Sequence, residues 1–222
     1  MATPLHNELK KEFQLERMIL FSDAVFAIAI TLLVLEIRVP NIDRHTATDK
    51  ALAGALDEMV PKFIGFLISF FIIGMYWAIH HRMFGFVVNY SKKMIWMNLM
   101  FLLAVVLMPF STAIYSEYIL RYLNIPVIIY VTNIVFLGVM NFLLWRHISD
   151  PKLHLSEGLT KEIRSYFSMR ALTGPAIFIT MALTYIFLAP KVAVWIPPMI
   201  PVIMRIATYR IRKKLEHDKS TV

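Results

Sequence analysis

The stretch Arg17-Met18-Ile19-Leu20-Phe21-Ser22-Asp23 opens an apolar run that continues to Val39, and its reading decides the fold. Crossing the hydrocarbon core of a bilayer takes about 20 helical residues at about 1.5 Å of rise each, and this run is long enough. It reads as a membrane helix that carries an ionisable carboxylate, Asp23, near one end. An acid in that position is costly unless it has a partner or a task, so Asp23 is a candidate functional residue.

The rest of the chain supports the same class. Of 222 residues, 58% are hydrophobic and only 17% are charged, and the mean hydropathy is +0.62. A soluble domain of this length needs more polar surface, whereas helices solvated by lipid can be apolar all round. The expected fold is therefore an all-α integral membrane protein, a single domain over residues 1–222, multi-pass in the cell membrane. The chain has no Cys, which removes disulfides, thiolate metal sites and thiol redox chemistry. Its net charge of +8 is spread in a way that suits a membrane surface, not a nucleic acid.

Six segments are apolar and long enough to span: 18–39, 56–82, 94–116, 126–147, 168–189 and 192–210. Pro197, Pro198 and Pro201 restrict the first turns of the sixth, and Gly174-Pro175 is expected to bend the fifth. With these spans, 17 Lys and Arg residues fall on one side of the membrane, among them Arg17, Lys92, Lys93, Arg146, Arg164 and Arg170, and 6 on the other. Basic loops stay cytoplasmic, so both termini are predicted to be cytoplasmic, which an even number of spans satisfies. The first sixteen residues are polar and the first apolar run is too long for a signal-peptide core, so no cleaved leader is expected. The basic tail from Arg210 reads as an anchor to anionic lipid.

At about 100° per residue, Phe21, Ala24, Ile28, Thr31, Leu32 and Leu35 share one side of the first helix. Asp23 groups with Ala27, Ile30 and Val34 roughly opposite Ile28. This predicts that the Asp23 side meets neighbouring helices and leaves the Ile28 side for lipid, a second copy or a pore. Plain structural readings stand beside the functional one. Arg17 can snorkel to headgroups, and Ser22 and Asp23 can satisfy local donors near a helix end. An Ile/Leu stripe is ordinarily a packing or lipid face.

The pattern Arg-x-x-x-Phe-Ser-Asp at the head of a first span, continuing as Ala-Val-Phe-Ala-Ile-Ala-Ile-Thr-Leu-Leu-Val-Leu-Glu-Ile, resembles the signature of the bacterial relatives of the endolysosomal potassium channel. Arg17, Phe21, Ser22 and Asp23 match it fully, and the six-span layout extends the resemblance over nearly the whole chain. The resemblance implies a homotetramer whose four first helices line a central pore, with the apolar constriction falling on Ile28 and Leu35. Leu32 shares that lining, and the threonine position falls on Thr31. It also implies that the signature residues form a packing and hydrogen-bond hub with His, Trp and Asn side chains of later helices. Trp77, His80 or His81, and Asn98 are the matching candidates, and the two histidines stay undecided. No cofactor is implied beyond permeant potassium, and no partner beyond lipid and other copies of the chain.

The chain has no Thr-Val-Gly-Tyr-Gly loop to supply carbonyl rings. Selection is therefore expected from an apolar ring that an ion passes only after shedding water, which favours potassium modestly over the more tightly hydrated sodium. Thr31 would offer oxygens to the partly stripped ion. Glu36, Asp43, Asp49, Asp57 and Glu58 on the outer side can concentrate cations, or can simply be solvated loop acids. The rival reading is a proton-coupled secondary transporter that uses Asp23 with His80 or His81 as a relay and Gly174-Pro175 as a broken helix. No repeat between the first three and last three spans supports it. A membrane enzyme is weaker again, since His80-His81 lacks the spacing of a helical metal pair and no His-Glu-x-x-His or nucleophile motif occurs.

Overall fold

Apolar side chains at nearly every position of the long segments leave the helix as the one spanning form that satisfies each backbone group within its own segment. The computed structural model follows that logic. It describes residues 11–43, 45, 47–193, 196, 199, 202–203, 205–206, 209 and 213. The helices are α1 (Lys11–Leu35), α2 (Asp49–Glu58), α3 (Val60–Phe84), α4 (Lys92–Val106), α5 (Met108–Tyr118), α6 (Asn124–Ile148), α7 (Lys161–Phe187) and the short α8 (Pro190–Ala193). Five units among the described residues are long and apolar enough to cross a membrane: α1, α3, α4 with α5, α6 and α7. Most of the expected sixth span, 192–210, with Pro197, Pro198 and Pro201, lies outside the described residues, as does the tail from Arg210 apart from Lys213.

Where the element bounds depart from the sequence reading, local chemistry accounts for it. Among the described residues α1 is already helical at Lys11, seven residues before the expected span, because Lys, Glu, Gln and Leu are good helix formers that carry the helix on beyond the bilayer. The expected span 56–82 crosses a break at Met59. Before it, α2 is a separate helix capped by Thr48, whose hydroxyl accepts from the Ala51 amide at 3.1 Å. After it, α3 starts with Pro61 in its first turn, where a missing N–H costs nothing. The third span is likewise divided at Leu107. Pro109 has no N–H to donate to Val105 and its ring crowds that carbonyl, so α4 ends and α5 begins.

The helices pack in an order that leaves α1 on the outside. It lies against α3, α4 and α5, while α6 packs on α4, α5 and α7. Close approach needs glycine at one point in particular. A Cβ on Gly138 of α6 would stand 2.0 Å from Cγ of Pro175 and 2.9 Å from the Tyr76 hydroxyl, so only a bare backbone lets α6, α7 and α3 converge there. The α7 helix runs through Pro175 without interruption. One core cluster is built around Phe26, Tyr76, Phe101, Tyr130 and Phe178, and a second at the other end of the bundle around Met83, Met94, Leu144, Trp145 and Phe167. Near the second cluster a single bridge, Val87 with Ser156, ties the α3–α4 loop to the α6–α7 loop. At the opposite end Lys62 and Glu117 pair at 2.7 Å, an exposed contact worth little on its own.

Candidate functional site

Ser22, Phe26, Ala29 and Leu33 are the buried residues of α1, and they define its inner face. Ser22 is wholly buried and works in two directions: its hydroxyl donates to the Met18 carbonyl at 2.8 Å and accepts from Nδ2 of Asn98 at 2.9 Å. The other end of that amide, Oδ1, pairs with Nε2 of His80 at 3.0 Å. An amide oxygen only accepts, so His80 is the donor and carries its proton on Nε2. The chain Ser22, Asn98, His80 thus joins α1, α4 and α3 through three side chains. His80 is 1% exposed, and its ring is walled by aromatics: Phe84 stacks at 4.2 Å, Phe101 at 5.5 Å and Phe26 leans in at 5.7 Å.

A second bond joins α1 to α3 alone. Nε1 of Trp77 donates to Oδ1 of Asp23 at 2.9 Å. Asp23 is half-buried and Trp77 is partly exposed, with His81 stacked on the indole at 5.7 Å. A hydrogen bond to an ionised acceptor contributes about 1.5–3 kcal/mol, more than a neutral pair, and the indole N–H brings no titratable proton. His80 and His81 are therefore different in kind: the first is sealed among rings, the second lies exposed on the indole. Asp23 and His80 belong to two separate hydrogen-bond chains.

The remaining candidates on α1 face outward. Arg17 is exposed with its guanidinium over the Phe13 ring at 5.7 Å, and Phe21 is 53% exposed. Ile28 is 58% exposed, Leu32 39% and Leu35 69%, and Ala24 and Thr31 share the surface. The Thr31 hydroxyl donates to the Ile28 carbonyl at 2.8 Å, which spends its proton on the helix and leaves oxygen lone pairs directed away from it. The predicted inner face needs correction by about a quarter turn. Ala27 and Val34, grouped with Asp23 in the sequence, are exposed, and Ile30 and Asp23 are half-buried. Phe26 drives the difference, because its ring fills the space beside His80 and Phe101 and turns the Ser22 side inward. That aromatic cage of Phe26, Phe84 and Phe101 was missed in the sequence; the four-residue step from Ser22 to Phe26 was the available signal.

Among the described residues no group of three or more His, Cys, Asp or Glu side chains could hold a metal ion. What the arrangement offers is a helix fixed by polar bonds on one side and bearing a continuous apolar face, with one hydroxyl row, on the other.

Comparison with known proteins agrees with this architecture. Residues 17–109 match the family model described as endosomal/lysosomal potassium channel TMEM175. The chain is 31% identical over 174 residues to a potassium channel of Streptomyces collinus, covering 75% of this chain and 80% of that one. It is 30% identical over 182 residues to a potassium channel of Chamaesiphon minutus, covering 81% and 88% respectively. The crystal structure of a lysosomal potassium-selective channel TMEM175 homolog from Chamaesiphon minutus superposes with a TM-score of 0.71 at 26% identity, over 89% of this chain and 98% of that chain. With its matched segment starting at Arg17 and its helices laid out as in that structure, the chain belongs to the TMEM175 family of potassium channels.

Proposed function

We propose that four copies of this chain form a potassium channel in the cell membrane, with α1 of each copy turned to a central axis. Each subunit would have six spans and both termini in the cytoplasm, in keeping with the excess of Lys and Arg on that side. The observation that carries this reading is the outer face of α1, where Ile28, Leu32 and Leu35 stand uncovered in line with Thr31 while the opposite face is locked to α3 and α4.

Four Ile28 side chains on an axis make a ring that excludes water unless the helices part slightly. Leu32 and Leu35 extend the apolar stretch. An ion that enters must leave part of its hydration shell behind, and potassium gives up water more readily than sodium. The ring therefore favours potassium modestly. Thr31 sits one turn along the helix with its hydroxyl proton already donated to Ile28, so four oxygens can face the partly stripped ion without competing for that bond. The Ser22–Asn98–His80 chain and the Asp23–Trp77 bond set the rotation of α1 that presents these residues. Arg17 and Phe21, which face away from their own subunit, contribute to the hub at the boundary between copies. Trp77 bonds Asp23 and Asn98 bonds His80, so these bonds give no direct relay from Asp23 to His80.

The test is ion flux through the purified protein in liposomes under a potassium gradient, with a proton reporter present. Potassium is expected to move without valinomycin. Ile28→Asn is expected to raise the flux several-fold and narrow the difference between potassium and sodium. An unaltered flux in the variant would take Ile28 off the path, and flux strictly coupled to protons would favour the transporter.

A further inference from the structure

The junction of α3, α6 and α7 has the opposite polar bookkeeping from the hub. The Tyr76 hydroxyl on α3 is buried with no hydrogen-bond partner among the described residues, and both the Nδ2 and the Oδ1 of Asn141 on α6 are in the same state. Tyr76 is 1% exposed and Asn141 0%. The Tyr76 hydroxyl reaches the stretch of α6 that carries Asn141. The Tyr76 oxygen lies 2.9 Å from where a Cβ on Gly138 would stand and 3.2 Å from where one on Gly174 would stand, so it is wedged between α6 and α7. Asn141 follows Gly138 by three residues, which sets it on the same side of α6. A third orphan comes from the backbone. Pro175 packs on Gly138 and has no N–H, so the Ala171 carbonyl, on a fully buried residue one turn back along α7, receives no i+4 donor.

Buried polar groups left bare cost about 1–3 kcal/mol each. We propose that one ordered water molecule occupies this junction. It would donate to the Ala171 carbonyl and to Oδ1 of Asn141 and accept from the Tyr76 hydroxyl, the three bonds an internal water ordinarily makes, while Nδ2 of Asn141 would need a second water. The water would replace the one donor that Pro175 removes from the ladder of α7, which otherwise continues through that residue. It ties that open rung to the helix that carries Trp77 and His80, and it does so whichever ion the channel passes.

Two measurements on the full chain decide it. Hydroxyl-radical footprinting by brief X-ray radiolysis of the unmodified protein, in nanodiscs, oxidises residues beside bound water even where bulk solvent is excluded. Tyr76 is expected to be labelled at least several-fold faster than Tyr130, which is equally buried but bonded to Ser69 at 2.9 Å. Equal, slow labelling of the two tyrosines would overturn the proposal. The second is a thermal double-mutant cycle with Tyr76→Phe, Asn141→Leu and the pair. Each single change is expected to lower Tm by several degrees, and the pair by little more than one of them, because the first removal already releases the water. Additive losses would overturn it.

Discussion

The two faces of α1 are made from one 25-residue helix and obey different rules. On the inner face the polar side chains are paired: Ser22 bonds Met18 and Asn98, Asn98 bonds His80, and Asp23 at its edge bonds Trp77. On the outer face Ile28, Leu32 and Leu35 stay exposed among the described residues, and the hydroxyl of Thr31 bonds its own helix. In a bilayer, apolar surface alone does not hold helices together, since lipid tails solvate it as well as Leu does. Directional bonds and close packing must fix the inner face. The outer face is then free to differ without loss of the subunit, which is how a pore lining can be tuned on a stable scaffold.

The contrast breaks first at Asn98. Asn98→Leu strands the His80 N–H at 1% exposure and removes the donor to Ser22. A loss on the order of 3 kcal/mol is expected, seen as a much lower Tm of the purified protein. A change below about 0.5 kcal/mol would mean that the chain of bonds contributes nothing net and that the aromatic cage alone holds α1.

Neighbouring leucines sharpen it next. Leu33 is 1% exposed and Leu32 39%. Leu33→Ala empties a packed position and is expected to cost about 2 kcal/mol, the low end of the range for buried leucines because lipid also solvates the unfolded helix. Leu32→Ala should leave subunit stability within about 0.5 kcal/mol and change ion flux instead. Both variants go through the same unfolding and liposome assays. The same outcome for the two would erase the distinction between the faces.

How far the sequence could be read follows the same line. Length and apolarity carry the all-helical membrane class, and the Arg17 to Asp23 pattern carries the family, because those depend on local residue types. The rotation of α1 depends on tertiary fit. A helical wheel weighs Phe26 and Ala27 alike, and only the space beside Phe101 shows that Phe26 is the one inside. His80 and His81 are adjacent and identical in type, so nothing local separates them; burial against Phe84 and Phe101 does. The α4–α5 break was signalled by Pro109, yet an uninterrupted apolar run conceals it. The open polar groups of Tyr76 and Asn141 lie on helices 65 positions apart, beyond the reach of any short motif.

Asp23 lies at the border between the faces, so its replacement separates fixing from conducting. Asp23→Asn keeps an oxygen for the Trp77 N–H but loses the charge, and about 1 kcal/mol of the bond goes with it. Assembly or stability should suffer more than the preference for potassium, as measured by the oligomer's mass after heating beside its permeability ratio. A fully stable oligomer with altered selectivity would move Asp23 from the scaffold to the ion path.

The smallest effect on the fold is expected at Thr31, and it is the cleanest test of the outer face. Thr31→Val keeps the shape of the side chain and deletes one exposed hydroxyl that bonds only the Ile28 carbonyl. That carbonyl keeps its helical donor, so stability should change by less than about 0.5 kcal/mol. The proposed ring of Thr31 oxygens would disappear, while the proposed apolar ring at Ile28 would remain. The permeability ratio of potassium to sodium should therefore fall with the oligomer intact and the flux of potassium little changed. An unaltered ratio would leave selection to the apolar ring alone, since the change puts a methyl of similar size in place of the hydroxyl.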